Sequence, residues 1–260
     1  MFPIRDENPT VHTPVVTYML IGMNLVVWGA VQGFGNSDAL AQSYCLYALI
    51  PGDLFNAVAQ GTQFPVGDRW ACAVTADSRT STLFSSMFMH GGWFHLLGNM
   101  LFLWIFGDNV EDVMGPIRFF IFYVLCGLAA AMAQIATEPS SLIPMVGASG
   151  AIGGVMGAYA LLFPRARIQL LIFVIVIITT ISVPAIFMLA YWFILQLVSG
   201  LASFNSTGGG VAFWAHIGGF VAGIVLAFVF RDQERMALRE ELIREVGRRP
   251  LPKFGTRRRD

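Results

Sequence analysis

Apolar residues do not alternate with polar ones along this chain but come in blocks of up to about 20. That is the length an α-helix needs to cross roughly 30 Å of hydrocarbon. Six blocks can be read: about Pro14 to Phe34, Leu83 to Phe106, Pro116 to Ala136, Ser149 to Phe163, Pro184 to Leu201 and Val211 to Phe230. Apart from Arg118, near the start of the third, none of them contains Lys, Arg, Asp or Glu. The pattern predicts an all-α membrane protein, a bundle of six transmembrane helices forming one domain over residues 14–230. Two stretches within that domain do not read as single crossings. Ile168 to Gly200 is almost continuously apolar, too long for one crossing, and proline at 184 disrupts a helix interior. A seventh span would upset the charge asymmetry described next, so Ile168 to Val183 is expected to be a partly submerged connection on the cytoplasmic side. The first loop, about Gly35 to Thr80, mixes Asp38, Asp53, Asp68 and Asp77 with apolar Leu46-Tyr47-Ala48-Leu49-Ile50. It is expected to be long and irregular, a lid or binding surface in the membrane interface.

Composition and charge fix the class and the orientation. The chain is 56 % hydrophobic and 12 % charged, against about 25 % charged in a soluble domain. Ten of its 16 Lys and Arg residues, from Arg231 to Arg259, follow the last block. The positive-inside rule makes residues 231–260 a basic cytoplasmic tail, and six spans return the N-terminal tail, residues 1–13, to the same side. Arg118, Arg165 and Arg167 agree, and the outer loops keep only Arg69 and Arg79. The nearest anions for the tail are phospholipid headgroups, and no nucleic-acid partner is expected. Met1 to Thr13 lacks the pattern of a cleaved signal peptide, so the first span is expected to be retained, in a bacterial plasma membrane. Cys126 reads as packing. Cys45 and Cys72 share the first loop, where a disulfide would need an oxidising compartment; unpaired thiols are the expectation.

The candidate chemistry lies inside the blocks. A histidine in hydrocarbon is costly and points to function, and His90, His95 and His216 all sit in apolar segments. Ser149 opens the fourth block, in Gly147-Ala148-Ser149-Gly150. Free N–H groups at a helix start, with the helix dipole, favour a developing oxyanion there. A serine at that position is also a common helix cap. His216 shifts the balance, because it enters the sixth block from the same side at similar depth. Ser149, Gly153 and Gly157 fall on one helical face, and His216, Gly219 and Gly223 on another. Small faces let transmembrane helices approach closely. A serine nucleophile and a histidine base need only mutual reach, so a Ser–His dyad is expected. With no acidic residue in these spans, an aromatic ring or a carbonyl must orient the imidazole. His95 and Asn99, four apart, share a face and can both donate to an oxyanion. His90, about 140° from His95 on a continuous helix, reads as structural. Scattered histidines without carboxylates make a poor zinc site, so no metal or cofactor is expected.

These residues resemble the rhomboid family of intramembrane serine proteases. His90-Gly-Gly-Trp-Phe-His95-Leu-Leu-Gly-Asn99 is similar to its His-x4-His-x3-Asn pattern. Gly147-Ala148-Ser149-Gly150 resembles its Gly-x-Ser-Gly site, and Ala215-His216-Ile-Gly-Gly219-Phe-Val-Ala-Gly223 its Ala-His-x2-Gly-x3-Gly. The resemblance covers about Pro14 to Phe230. It implies Ser149 as nucleophile, His216 as base, and an oxyanion hole of His95, Asn99 and the Ser149 N–H. It also implies substrates that are single transmembrane helices, cut near the outer face, with a small residue before the cut. Gly107-Asp108-Asn109-Val110-Glu111 resembles the turn after the second span, with Glu111 structural. Gly147 and Gly150 are also assigned structural roles. One departure is plain: where many members carry Trp-Arg in the first loop, this chain reads Arg79-Thr80-Ser81-Thr82-Leu83, which bears on how that loop docks.

Two other readings compete with an intramembrane endopeptidase. Inactive rhomboid-like proteins that bind transmembrane helices lack the Ser–His pair. A proton-relay transporter would carry Asp or Glu within its spans. Natural substrate and oligomeric state are not encoded in any motif.

Overall fold

The computed structural model describes residues 2–67, 69–75, 79–174, 177–204 and 210–248. Strand β1 (Phe2–Asp6) precedes helices α1 (Val15–Ala30), α2 (Ser37–Tyr47) and α3 (Pro51–Leu54). A hairpin of β2 (Gln63–Val66) and β3 (Trp70–Ala73) leads to a short α4 (Thr82–Ser85), then α5 (Trp93–Met114), α6 (Pro116–Thr137) and α7 (Ser149–Leu162). Strands β4 (Arg167–Val174) and β5 (Ile177–Pro184), then α8 (Ala185–Ser203), α9 (Phe213–Phe230) and α10 (Gln233–Arg248), complete the order. Among the described residues, α6, α8 and α9 are long and apolar enough to cross a membrane, and α1 and α7 are apolar but shorter.

The structure departs from the expected layout in several places. The fold is predominantly helical but not all-α. Ile168 to Val183 is no loose connection: β4 and β5 pair antiparallel, and β1 adds to β4, giving the order β1-β4-β5. These eight-residue runs are rich in Ile, Val and Thr, which suit a pleated surface, and β1 supplies the partner. Phe2 to Asp6, expected in a free tail, is therefore part of a sheet. The second apolar block begins not at Leu83 but at Trp93, because Gly92 takes φ 158° and the chain breaks there. His90 thus precedes the helix, and the helical angle between it and His95 does not apply. At its other end α5 runs on to Met114, so Asp108, Glu111 and Asp112 lie within a helix.

The described residues of the first loop form helices and a hairpin, and Cys45 is disulfide-bonded to Cys72, tying α2 to β3. Without Trp-Arg, its docking rests on other bonds. Arg79 donates to the Cys45 carbonyl, Ser85 Oγ donates to the Tyr47 carbonyl at 2.8 Å, and Leu49 bridges Met145. Asp68 and Asp77 lie outside the described residues, as do Arg249 to Arg259 of the tail. Residues Gln233–Arg248, expected as tail, form α10.

A buried polar cluster gathers the N-terminal segment and α10 at the end of the bundle away from Ser149. Glu111, 3 % exposed, accepts from the Val16 N–H at 2.9 Å, the Thr17 N–H at 2.7 Å and the Thr17 hydroxyl at 2.8 Å. It caps α1 from another helix, because Pro14 at the N-cap offers no side-chain acceptor. Asp112 accepts from the Val11 and His12 N–H groups, both at 2.9 Å, and lies 3.3 Å from Arg239 Nε. Arg239, on α10, also donates to Asn8 Oδ1 at 2.6 Å and to the Pro9 carbonyl at 2.8 Å, and its guanidinium lies over Phe163. Asp6 accepts from the Tyr159 hydroxyl at 2.6 Å and from Asn109 Nδ2 at 2.9 Å. Burial pushes the Asp6 carboxyl up to about 6, against the opposing pull of the Tyr159 bond.

Two outcomes follow. Glu111→Ala leaves three buried donors without an acceptor and is expected to cost about 2–4 kcal/mol, with Glu111→Gln losing less, read as thermal unfolding in detergent. For Asp6, the folded protein keeps a proton that the unfolded chain has released between 3.8 and about 6. The chain is accordingly more stable below that window and loses this contribution as pH rises through it. The slope of melting temperature against pH over that range should be shallower in Asp6→Asn.

Candidate active site

Helices α7 and α9 meet backbone to backbone, and the glycines at their interface make this possible. A Cβ on Gly153 would lie 3.0 Å from the His216 carbonyl oxygen. One on Gly157 would collide with the Phe220 carbonyl, one on Gly219 with that of Gly150, and one on Gly223 with that of Gly154. Gly150 also faces Ala130 of α6, where a Cβ would come within 2.6 Å of the alanine methyl. Without hydrophobic drive between helices in lipid, such close van der Waals contact is what holds them.

This contact sets the position of two side chains. Ser149, the first residue of α7, and His216, in the first turn of α9, come together with Oγ 2.8 Å from Nε2. No side chain caps the start of α7 and its first turn holds no acid, so its free N–H groups face the site. Behind Ser149 the chain turns at Gly147, with φ 125°, a backbone that disfavours any side chain. A Cβ at 147 would lie 2.7 Å from His95 Nε2 and 3.5 Å from Asn99 Nδ2. Both α5 side chains therefore flank the approach to Ser149.

The hydrogen bonds fix which nitrogens donate. The Gly91 N–H donates to His95 Nδ1 at 3.1 Å. A neutral His95 thus carries its proton on Nε2, the atom aimed at the Gly147 turn. Asn99 is 7 % exposed, and its buried Nδ2 has no hydrogen-bond partner among the described residues. Two donors converge beside Ser149, and a third is its own N–H.

His90 lies fully buried outside this constellation, its ring 5.2 Å from that of His95. Its N–H donates to Gln32 Oε1 at 2.8 Å and its carbonyl accepts from Gln32 Nε2 at 2.9 Å, a clamp on the end of α1. Glu111 sits at the opposite end of α5, as the cap of α1. Among the described residues no group of three or more His, Cys, Asp or Glu converges as metal ligands would.

The orienting groups for His216 had no motif in the sequence. Gln196 of α8 lies with Oε1 2.8 Å from Nδ1, and Trp192, one turn earlier, sets its ring 5.8 Å from the imidazole. The signal available was a lone amide in an otherwise apolar block, four residues after a tryptophan.

Around these residues opens a cleft of about 1390 Å³ bounded by the first loop, α5, α7 and α8. Phe94, Phe102, Met156, Trp192 and Phe213 line it, and Glu138 is its one carboxylate among the described residues. The Rhomboid domain profile matches residues 77–233, which hold the whole constellation. The chain belongs to the rhomboid family.

As a rhomboid it is an integral membrane protein, and its relatives come from several compartments. It is 30 % identical over 148 residues to Rhomboid protein 1, mitochondrial, of Saccharomyces cerevisiae, covering 55 % of this chain and 40 % of that protein. To RHOMBOID-like protein 5 of Arabidopsis thaliana it is 29 % identical over 170 residues, 63 % of this chain and 44 % of the relative. To Rhomboid protease GluP of Bacillus subtilis it is 38 % identical over 76 residues, 29 % of this chain and 14 % of the relative. The chain thus spans less than half the length of each of these proteins.

The glycine contact yields a test. Gly219→Ala or Gly223→Ala should drive α9 off α7 and separate Ser149 from His216, read as a lower melting temperature in detergent at a cost of about 1–3 kcal/mol. Gly22→Ala, where a Cβ meets nothing within 4 Å, is the control and should not lower it.

Proposed function

We propose that this rhomboid is an active intramembrane serine endopeptidase with a Ser149–His216 dyad. The observation that carries the reading is the 2.8 Å separation of Ser149 Oγ and His216 Nε2. In the proposed reaction Ser149 Oγ attacks a peptide carbonyl while His216 Nε2 takes the hydroxyl proton. The carbonyl oxygen becomes an oxyanion that the Ser149 N–H, His95 Nε2–H and Asn99 Nδ2 stabilise. Collapse breaks the C–N bond, and His216 returns its proton to the departing amine. Water, activated by His216, then attacks the acyl-enzyme ester and releases Ser149. The chemistry uses no cofactor.

The substrates we propose are single transmembrane helices. The aromatic cleft suits an unwound apolar segment, and a site at the start of α7 suits cleavage near one membrane face. We further propose six spans, α1 and α5 to α9, with both termini cytoplasmic and the cleft open to the outer side. The ten basic residues after Phe230 support that orientation. A bacterial plasma membrane is the location we propose. An inactive, helix-binding rhomboid is the competing reading, and the hydrogen-bonded dyad argues against it.

Reconstituted with a model transmembrane substrate, wild type should cleave and Ser149→Ala should lose at least about a thousandfold in rate. A fluorophosphonate probe should label wild type and not the variant. Undiminished cleavage by Ser149→Ala would end the assignment of the nucleophile.

A further inference from the structure

We propose that Gln196 is a positioning residue for the base: its amide oxygen holds the Nδ1 proton of His216, leaving Nε2 free to accept from Ser149. This rests on His216 being the base of the reaction above. A neutral imidazole has one N–H and one lone pair, and their arrangement is set by the partner of the other nitrogen. Gln196 Oε1, 2.8 Å from Nδ1, can only accept. Nδ1 therefore carries the proton, and Nε2 presents its lone pair 2.8 Å from the Ser149 hydroxyl. His95 is set the opposite way by the Gly91 N–H, as its donor role requires. The two cleft histidines thus hold opposite tautomers, each fixed by one neutral partner.

No carboxylate does this work. Among the described residues, the ring nitrogens of His216 bond only Gln196 and Ser149. The other titratable groups sharing the cleft are His95 of α5, Tyr44 of α2 and Glu138 just beyond α6, and none of them bonds the imidazole. From α8 the ring is faced by Gln196 and Trp192, neither of which titrates, and from α7 by Ser149.

The positioning is also conditional. Gln196 and Trp192 both ride on α8, whose buried residues are only Ala185, Leu189 and Gly200. The helix that orients the base is peripheral, so the base is set for proton transfer only while α8 is seated against α9.

The full chain in proteoliposomes decides this, with kcat and KM measured against pH for Gln196→Leu and Gln196→Glu beside Ser149→Ala. Leucine keeps the volume and removes the acceptor. It should lower kcat about 10- to 100-fold with KM within about twofold, less than the roughly 10⁴ lost with a wrong tautomer in a carboxylate triad. Glutamate restores an acceptor and adds a charge that favours the imidazolium. It should keep kcat within about tenfold at the plateau and move the acid limb of kcat/KM up by about one pH unit or more. Should the leucine variant unfold, the limb shift in the glutamate variant carries the decision. Wild-type kcat in Gln196→Leu, or a Gln196→Glu profile with no limb shift, overturns the positioning role. With Ser149→Ala inactive, either result removes this proposal alone; an active Ser149→Ala removes the dyad itself.

Discussion

The structure depends on the contact between α7 and α9 at the distance of two bare backbones. Gly150, Gly153, Gly154 and Gly157 on one helix face the backbone of the other, and Gly219 and Gly223 return the contact. In lipid a larger side chain gains nothing by facing a helix instead of an acyl chain, so closeness itself must supply the attraction. The same closeness sets the distance between Ser149 and His216. Each sits at the start of its helix, so the spacing of the two helix axes fixes where it lies. The pair is positioned by the scaffold, not by loops.

The two ends of the molecule are built differently. Away from Ser149, Glu111 caps α1, Asp112 holds residues 11 and 12, and Arg239 ties α10 to Asn8 and Pro9. Tyr159, near the end of α7, bonds Asp6 in the sheet. These charge-assisted bonds fix the far end of the helix that begins with Ser149. At the near end the elements are held by the disulfide, a few bonds from the first loop and the loosely packed α8. The densely bonded end lies away from Ser149, and the cleft opens at the other.

Much of the site was legible because its residues repeat with helical spacing. Ser149, Gly153 and Gly157, and His216, Gly219 and Gly223, mark two faces before any coordinates exist, and His95 with Asn99 marks a third. What escaped reading had no spacing to betray it. Gln196 is a lone amide whose meaning depends on which residue stands opposite it. The β4–β5 hairpin is an apolar run, and periodicity alone does not separate a buried strand from a buried helix; β1, its partner, lies over 160 residues away. Gly107 to Glu111 reads as a turn after the second span with Glu111 structural, yet α5 runs through it, and Glu111 and Asp112 are buried because backbone N–H groups from α1 and the N-terminal segment meet them. The Cys45–Cys72 bond depends on α2 and a hairpin in a stretch that looked irregular.

An amide behind the base makes physical sense in this setting. A buried carboxylate would stabilise the imidazolium more strongly, but an ion placed among apolar helices carries a desolvation cost that its single partner repays poorly. An amide carbonyl fixes the same tautomer with no charge to bury. In the proposed reaction the imidazolium then gains less, and the proposed oxyanion donors would do more of the stabilisation. Three donors beside Ser149, one of them the buried Asn99 Nδ2 with no other partner among the described residues, fit that division. The proposed chemistry would thus be weighted toward the oxyanion side, where neutral groups suffice, and away from the base side, where a charge would have been needed.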